Sequence, residues 1–225
     1  MAARSRPKGA PYSSIAKVEA KNAKQQQYLT SIEDNTITFG IGPAGTGKTF
    51  LAVYQALCHL WSKKVQRIII SRPVMEAGEK LGYLPGDLNE KMDPYVRPIH
   101  DAMIDMIGFD ELKKKIENGR IEIAPLAFMR GRTFNNCFVI LDEAQNCTYE
   151  QLKMALTRLG HDTKCIVNGD PNQTDLQNSG LKATIAALAG MDDVGFCRFT
   201  ASEVERSEIV KKLVTAFELY ETERR

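Results

Sequence analysis

A complete phosphate-binding loop occupies residues 42–49 and constrains the possible folds of this chain more than any other feature. The loop reads Gly-Pro-Ala-Gly-Thr-Gly-Lys-Thr and satisfies the pattern G-x-x-x-x-G-K-[ST]. An apolar run at 37–41 precedes it, and a helix-like run at 50–61 follows. Such a loop requires this strand–loop–helix order, because backbone N–H groups at a helix N-terminus surround the phosphates and the helix dipole attracts them. The sequence therefore predicts a nucleoside-triphosphate site, with ATP as the expected ligand.

The residue types within the loop each have a physical reason. Glycines allow the backbone to bend and to approach the phosphates closely. Lys48 is expected to reach the β- and γ-phosphates, and Thr49 is expected to bind Mg²⁺. The residues predicted to hold ATP in this loop are Gly42, Pro43, Ala44, Gly45, Thr46, Gly47, Lys48 and Thr49.

Length and composition indicate one α/β domain. The chain has 225 residues, of which 43% are apolar, a normal share for a globular core. The net charge of +2 gives no strong overall field for nucleic acid. Charge is uneven, however, because the first eight residues contain three basic residues and no acid. We expect a flexible basic arm at 1–14, solvated rather than bound to phosphate, and a single folded domain at 15–225.

Cysteine usage and hydropathy predict a cytoplasmic location. The five cysteines are scattered and form no C-x-x-C motif, which fits a reducing compartment better than a disulfide framework. No apolar stretch approaches the ~20 residues that span a membrane, and the basic N-terminus lacks the apolar core of a secretory signal. The three histidines show no metal-ligand spacing. We therefore expect no membrane partner and no histidine-bound metal.

Apolar runs and helical patterns alternate along the chain. Strands are predicted at 36–41, 67–71, 121–124, 137–141, 164–168 and 194–199. Helices are predicted at 15–33, 149–159 and about 207–223, with further helical segments in the connection at 72–119. Thr148 and Gln151 form a capping box at the start of the helix at 149–159, and Gly160 is expected to stop it. This alternation predicts an α/β fold with a mostly parallel sheet and helices on both faces.

The apolar strand at 137–141 ends in two acids, Asp142 and Glu143. The carboxyl ends of parallel strands lie at one edge of a sheet, so we expect these acids beside the phosphates. Asp142 is predicted to bind Mg²⁺, directly or through water. Glu143 is predicted to act as the general base that polarises the attacking water.

The apolar strand at 164–168 leads into Asn-Gly-Asp-Pro-Asn-Gln at 168–173. The amide of Gln173 is able to hydrogen-bond the γ-phosphate or the attacking water, and so to sense whether the phosphate is present. A tight turn alone also explains the Gly, Pro and Asn residues of this segment. The two interpretations are compatible, and Gln173 is retained as a predicted sensor.

These three motifs together resemble the motor core of superfamily-1 helicases, and further segments resemble the PhoH-like (phosphate-starvation-inducible) ATPases. The similar segments are 40–49, 72–73, 78–87, 93–95, 125–134, 141–146, 156–160 and 169–175. The resemblance implies a single RecA-like P-loop NTPase domain at 15–225 that uses ATP and Mg²⁺. It also implies action on RNA or single-stranded DNA, helicase-like activity and a homo-oligomeric, hexameric ring.

The resemblance also implies that one arginine acts at the ATP site of a neighbouring subunit. The family's D-V-V-R-H stretch is here Glu-Val-Glu-Arg-Ser at 203–207, so Arg206 keeps its place although its neighbours differ. A superfamily-1 helicase places ATP between two RecA-like domains, whereas this chain has the length for one. The resemblance therefore implies an arginine supplied by a neighbouring subunit. Arg206, Arg158 and Arg132 are the candidates, and Arg206 is favoured.

The resemblance also assigns adenine recognition to the helix before the first strand. Family spacing to Tyr28 selects Gln25, whose amide pairs with adenine as donor and acceptor together. A solvated polar helix face is the alternative interpretation of Gln25.

The connection after the second strand is the expected nucleic-acid contact, because the corresponding segment of the helicase core faces the bound strand. Basic side chains supply positive charge there, and tyrosines are able to stack on bases. The candidates are Arg72, Lys80, Tyr83, Arg130 and Arg132. Alternatively, Arg72, Arg130 and Arg132 support the ATP site or a subunit contact.

Three functions fit the sequence. The favoured one is an oligomeric ATPase coupled to RNA or single-stranded DNA. The second is a slow ATP-dependent switch or assembly factor that moves no strand. The third, a small-molecule kinase, fits less well, because Glu143 and Gln173 suit the activation of water better than transfer to a hydroxyl group.

Overall fold

The computed structural model describes residues 15–73, 88–176, 178–205, 209–210 and 213, with the backbone alone described at 88–95. The basic arm expected at 1–14 lies outside these residues, as do Lys80, Tyr83 and Arg206. Of the helix expected at about 207–223, only residues 209, 210 and 213 are described, and they are helical. Within the described ranges, no helix is both long and apolar enough to cross a membrane.

Six strands and six bounded α-helices lie along the described chain, and they alternate except that two helices and two strands are consecutive. The strands are β1 (Ile37–Ile41), β2 (Arg67–Arg72), β3 (Ile121–Pro125), β4 (Cys137–Leu141), β5 (Lys164–Gly169) and β6 (Val194–Arg198). The helices are α1 (Ala23–Asp34), α2 (Lys48–Trp61), α3 (Leu88–Ile107), α4 (Phe109–Glu117), α5 (Tyr149–Leu156) and α6 (Leu181–Leu188). Each predicted strand is found, and its bounds differ from the prediction by no more than one residue at either end.

The strands form one parallel sheet in the order β3-β2-β4-β5-β1-β6. Successive residues of a strand point to opposite faces, so Ile68 and Ile70 pack in one apolar layer while Ile69 packs in the other. Helices α1 to α4 cover the first face, and α5 and α6 cover the second. The predicted α/β fold, with a parallel sheet and helices on both faces, is confirmed.

Two predicted helix bounds are wrong. Helix α1 begins at Ala23 rather than at residue 15, because the side chain of Asn22 accepts a hydrogen bond from the N–H of Gln25 and caps the helix there. Helix α5 begins with the predicted capping box but ends at Leu156, three residues before the predicted end.

Helix α6 has no counterpart in the sequence prediction. Its N-cap position is Gly180, which supplies no side-chain cap, so the usual signal for a helix start is absent. Leu181 and Ile185 are nevertheless buried against the sheet, and this apolar face stabilises the helix.

Lys164, at the start of β5, ties α1 to the sheet. Its ammonium donates to the backbone oxygens of Ile32, Glu33 and Asn35 at 2.8, 2.8 and 2.7 Å. These carbonyl groups lie at the C-terminus of α1, where the helix dipole favours a cation. The contact anchors this end of α1 at the amino edge of the sheet and leaves the first turns of the helix near the carboxyl edge.

Candidate nucleotide-binding site

A cleft of about 390 Å³ opens at the carboxyl edge of the sheet. The phosphate loop lines it together with Arg72 at the end of β2, Asp142 and Glu143 after β4, and Gln173 after β5. Parallel strands bring their carboxyl ends to one edge, so segments far apart in the sequence meet there. The structure therefore brings together the three motifs that were predicted to share a site.

Glycine is required in the phosphate loop between β1 and α2. Gly42 and Gly47 have φ angles of 138° and 85°, a region that other residues rarely adopt. A Cβ atom at Gly42 would also lie 2.4 Å from the backbone oxygen of Phe199. Gly47 is the N-cap of α2 and offers no side-chain acceptor to the first turn. The N–H groups of that turn are thus suited to phosphate oxygens.

The side chain of Lys48 is held by the loop itself. Its Nζ donates to the backbone oxygens of Gly42 and Pro43, both at 2.7 Å. Burial lowers the pKa of this ammonium, and nearby carboxylates, Asp142 foremost, oppose that shift. The cation is therefore positioned by backbone carbonyl groups and partly compensated by acids across the cleft.

A hydrogen bond of 2.8 Å from Thr49 Oγ1 to Asp142 Oδ1 joins the loop to the acidic strand. Burial raises the pKa of Asp142, and the neighbouring Glu143 adds to the rise, whereas Thr49 and the cations Arg72 and Lys48 oppose it. A hydroxyl and a carboxylate are the oxygen ligands that Mg²⁺ uses beside nucleotide phosphates. The residues present therefore fit the predicted metal.

Glu143 has an unusual backbone conformation. Its φ of 55° and ψ of 40° lie in the left-handed region, which glutamate rarely adopts. The carboxylate accepts hydrogen bonds from Arg72 Nη2 at 2.8 Å and from Gln145 Nε2 at 2.5 Å. The backbone and two donors together hold this acid at the cleft.

Gln145 and Asp170 belong to the site, although sequence reasoning gave them no role. Gln145 is buried, and its Oε1 accepts the backbone N–H of Asp170 at 3.1 Å while its Nε2 bonds Glu143. The N–H of Gln173 in turn donates to the backbone oxygen of Asp170 at 3.1 Å. Gln145 thus connects the acid after β4 to the turn that carries the predicted sensor. Both missed residues closely follow buried strands, which is the signal that identified Asp142 and Gln173.

Gln25 lies beneath the phosphate loop. Only 4% of the residue is exposed, which does not fit a solvated helix face. Its Nε2 donates to the backbone oxygen of Thr46 at 3.1 Å, and its Oε1 accepts the N–H of Lys21 at 2.8 Å. The amide therefore braces the loop, and adenine recognition by Gln25 stays a prediction.

A buried hydrogen bond connects α1 to the end of β5. The hydroxyl of Tyr28 donates to Asn168 Oδ1 at 2.6 Å, and the two residues are 0% and 1% exposed. Within the described part of the chain, Asn168 Nδ2 has no hydrogen-bond partner. A Cβ atom at Gly40 would lie 2.4 Å from Asn168 Oδ1, so glycine leaves the space for this contact.

The basic residues predicted to contact nucleic acid lie in different places. Arg72 lines the cleft and pairs with Glu143. This position fits the alternative interpretation, in which Arg72 supports the ATP site. Arg132 forms two bonds of 2.5 and 2.7 Å with Glu122 on the edge strand β3. Arg130 is exposed and follows a short 3-10 helix. Nucleic-acid contact by these residues stays a prediction.

The chain before Arg206 runs alongside the phosphate loop. The N–H of Phe199 donates to the backbone oxygen of Ile41 at 2.7 Å, and the N–H of Glu205 donates to that of Gly45 at 2.9 Å. Arg206 itself is outside the described residues.

A phosphate loop after β1, acids after β4 and an all-parallel sheet covered on both faces define a P-loop NTPase with a RecA-like fold. Residues 17–218 match the family described as PhoH-like protein. The chain therefore belongs to the PhoH-like family, and the resemblance read from its sequence is confirmed.

Similar proteins occur in several bacteria. The PhoH-like protein of Mycobacterium bovis is 50% identical over 207 residues, which cover 91% of this chain and 59% of the relative. Protein PhoH of Escherichia coli is 44% identical over 203 residues, which cover 88% and 57%. The chain thus spans less than two thirds of the length of these relatives. A large terminase from a thermophilic bacteriophage is similar in fold alone, with a TM-score of 0.51, 15% identity and coverage of 85% of this chain and 49% of the terminase.

Replacement of Tyr28 by Phe is expected to lower the free energy of unfolding by about 1–3 kcal/mol, because the buried amide of Asn168 loses its partner. Urea denaturation measures the change. Tyr149→Phe is the control, since Tyr149 is 37% exposed, and its effect should stay within about 0.5 kcal/mol. Equal losses in the two variants would contradict the importance of the buried bond.

Proposed function

We propose that this protein binds ATP together with Mg²⁺ and hydrolyses it. The convergence of three groups on one cleft carries the proposal. These groups are the ammonium of Lys48, the hydrogen-bonded pair of Thr49 and Asp142, and the carboxylate of Glu143.

Binding uses the loop and the first turn of α2. Backbone N–H groups of the loop surround the phosphates, and Lys48 turns from its carbonyl partners toward the β- and γ-phosphates. Thr49 and Asp142 hold Mg²⁺, which supplies positive charge that neutralises the phosphate oxygens. Gln25 recognises the adenine, for which its amide exchanges the bonds with Thr46 and Lys21 for bonds with the base.

Hydrolysis uses the residues that follow β4 and β5. Glu143 takes a proton from the attacking water, and Arg72 and Gln145 orient its carboxylate for that step. Gln173 contacts the γ-phosphate or the water. Because Gln145 bonds both Glu143 and the backbone of Asp170, movement of the sensor turn affects the orientation of the base.

The finer part of the proposal couples hydrolysis to RNA or single-stranded DNA in a hexameric, cytoplasmic, helicase-like ring. The resemblance to the helicase core supports the helicase-like ring, and the exposed Arg130 supports contact with nucleic acid. The five free cysteines, of which four are buried, support the cytoplasmic location. A slow ATP-dependent switch that moves no strand is the rival, and it differs by predicting no stimulation by nucleic acid. The ion pair between Arg72 and Glu143 supports a catalytic role for Arg72 rather than strand contact.

Two variants separate ATP binding from hydrolysis. Lys48→Ala is expected to abolish productive ATP binding, because the main cation at the β- and γ-phosphates is lost. Glu143→Gln is expected to keep ATP and Mg²⁺ bound while lowering hydrolysis by about 10²–10⁴. Nucleotide titration and phosphate release measure the two effects. Lys182→Ala, on the exposed side of α6, serves as the control. Normal turnover in either site variant would contradict the assigned role.

Single-stranded RNA is expected to raise the ATPase rate. Its binding should depend on salt, because lysine and arginine side chains that contact the phosphates release counterions from the strand. Arg130→Ala should weaken RNA binding and reduce the salt slope by about one. Arg72→Ala should instead lower the basal ATPase rate. The control is Arg198→Ala, which removes an exposed arginine from β6 at the other edge of the sheet. An ATPase rate unchanged by RNA would favour the slow switch.

Arg206 is proposed to act on the ATP of a neighbouring subunit. A guanidinium in that position raises the rate of hydrolysis by a factor of roughly 10³–10⁵. Arg206→Ala should therefore bind ATP but hydrolyse it poorly. Mixing this variant with Lys48→Ala creates some sites with an intact loop and an intact arginine, so activity should partly return. If subunits exchange but activity does not recover, Arg206 does not act in trans.

A further inference from the structure

A second cavity lies away from the nucleotide cleft, where α2 ends and β2 and β3 begin. Its volume is about 600 Å³, against about 390 Å³ for the cleft, and small-molecule sites have such volumes. Leu60, Trp61 and Val65 give it an apolar wall, and Lys115 and Arg120 lie among its other lining residues. The described lining contains three basic residues and no acid.

The cations of this cavity differ in how far they are neutralised. Lys115 pairs at 3.2 Å with a glutamate one turn earlier, and its Nζ lies 4.6 Å from the ring centre of Trp61. Within the described ranges, Lys63 and Arg120 form no ion pair. Arg120 Nη1 donates to the backbone oxygen of Gln66 at 3.0 Å, which orients the guanidinium. Two positive charges therefore remain for an anionic ligand.

The backbone conformation of Lys63 follows from its position at the end of α2. Its φ is 60°, in the left-handed region that favours glycine. Five non-glycine residues of the described chain have positive φ, and three of them are Asn or Asp, which tolerate it. The fourth is Glu143, in the nucleotide cleft. Lys63 is the fifth, and it occupies the position one residue beyond the C-cap of α2, where helices commonly end in this conformation.

Lys63 belongs to the hydrogen-bonded end of α2, because its N–H donates to the backbone oxygen of Leu60 at 3.2 Å and the N–H of Lys64 donates to that of His59 at 3.0 Å. Cations in the last turn of a helix interact favourably with its dipole, which accounts for Lys114 and Lys115 in α4. Lys63 instead lies beyond Ser62, the C-cap of α2. Glycine is the residue that suits this position best. Replacement of Lys63 by glycine therefore keeps this helix end and removes only the cation.

We propose that this cavity binds a nucleotide unit, a phosphate joined to a flat base, and that it is separate from the catalytic cleft. Lys63 and Arg120 hold the phosphate through charge-assisted hydrogen bonds. The base stacks on Trp61, and Lys115 moves from the ring toward the phosphate. A free nucleoside monophosphate and one nucleotide of a single strand share this chemistry. The proposal goes beyond ATP hydrolysis and does not depend on it.

Trp61 provides a direct measurement, because it is the single tryptophan of the 225-residue chain. AMP is titrated into Lys48→Ala protein, so that binding in the cleft is suppressed, and tryptophan fluorescence is followed. A saturable change is expected, with weaker binding of inorganic phosphate, which lacks the base. Lys63→Gly, introduced in the same background, should weaken AMP binding about tenfold. Its stability in urea should be equal or higher, since glycine relieves the backbone strain.

The matched control is Lys182→Gly, which removes an exposed lysine from α6 on the other face of the sheet and should leave AMP affinity unchanged. A ten-nucleotide single-stranded RNA identifies the source of the ligand: tighter binding than AMP indicates a strand, and equal or weaker binding indicates a free nucleotide. Absence of any fluorescence change with both probes overturns the proposal, as does full AMP affinity in the Lys63→Gly variant. Because the cleft is already inactivated, failure of the ATPase assignment would leave this result intact.

Discussion

The hydrogen bond between Thr49 and Asp142 is the contact on which the rest of the site depends. The two residues are 93 positions apart, and the strands that precede them, β1 and β4, are separated by β5. The parallel sheet presents its carboxyl ends at one edge and so brings them within 2.8 Å. The carboxylate of Asp142 is buried, and a buried charge is tolerated when donors and cations compensate it. Thr49, Lys48 and Arg72 supply that compensation.

Locally unfavourable features gather at this same edge of the sheet. Asp142 is a buried acid, Glu143 has a strained backbone, and Asn168 has a buried amide nitrogen without a partner in the described chain. Each feature alone costs stability. The middle of the sheet offsets this cost, since Ile69 and Ile140 are completely buried on opposite faces. This distribution is expected where a rigid apolar scaffold carries a site for a highly charged ligand.

Apolar periodicity predicted the sheet because strands buried on both faces are nearly continuous apolar runs with polar ends. The phosphate loop, Asp142 and Glu143 were predicted as site residues because they directly follow such strands, and that position is visible in the sequence. Contacts between side-chain amides have no such periodicity. The bond from Tyr28 to Asn168 joins residues 140 positions apart, and the double contact of Gln145 depends on the meeting of two strand ends. Only the folded arrangement reveals them.

Helix α2 connects the two cavities described above. It begins with Lys48 in the phosphate loop and ends with Trp61, and 14 residues span about 20 Å. Leu51, Ala52 and Leu57 are at most 2% exposed, so the helix is closely packed against its neighbours. In the proposed function, a shift of the loop on ATP binding would be carried along α2 to Trp61. Because linkage between sites is reciprocal, a ligand of the proposed second site that prefers one position of α2 would change the affinity for ATP by the same factor by which ATP would change the affinity for that ligand.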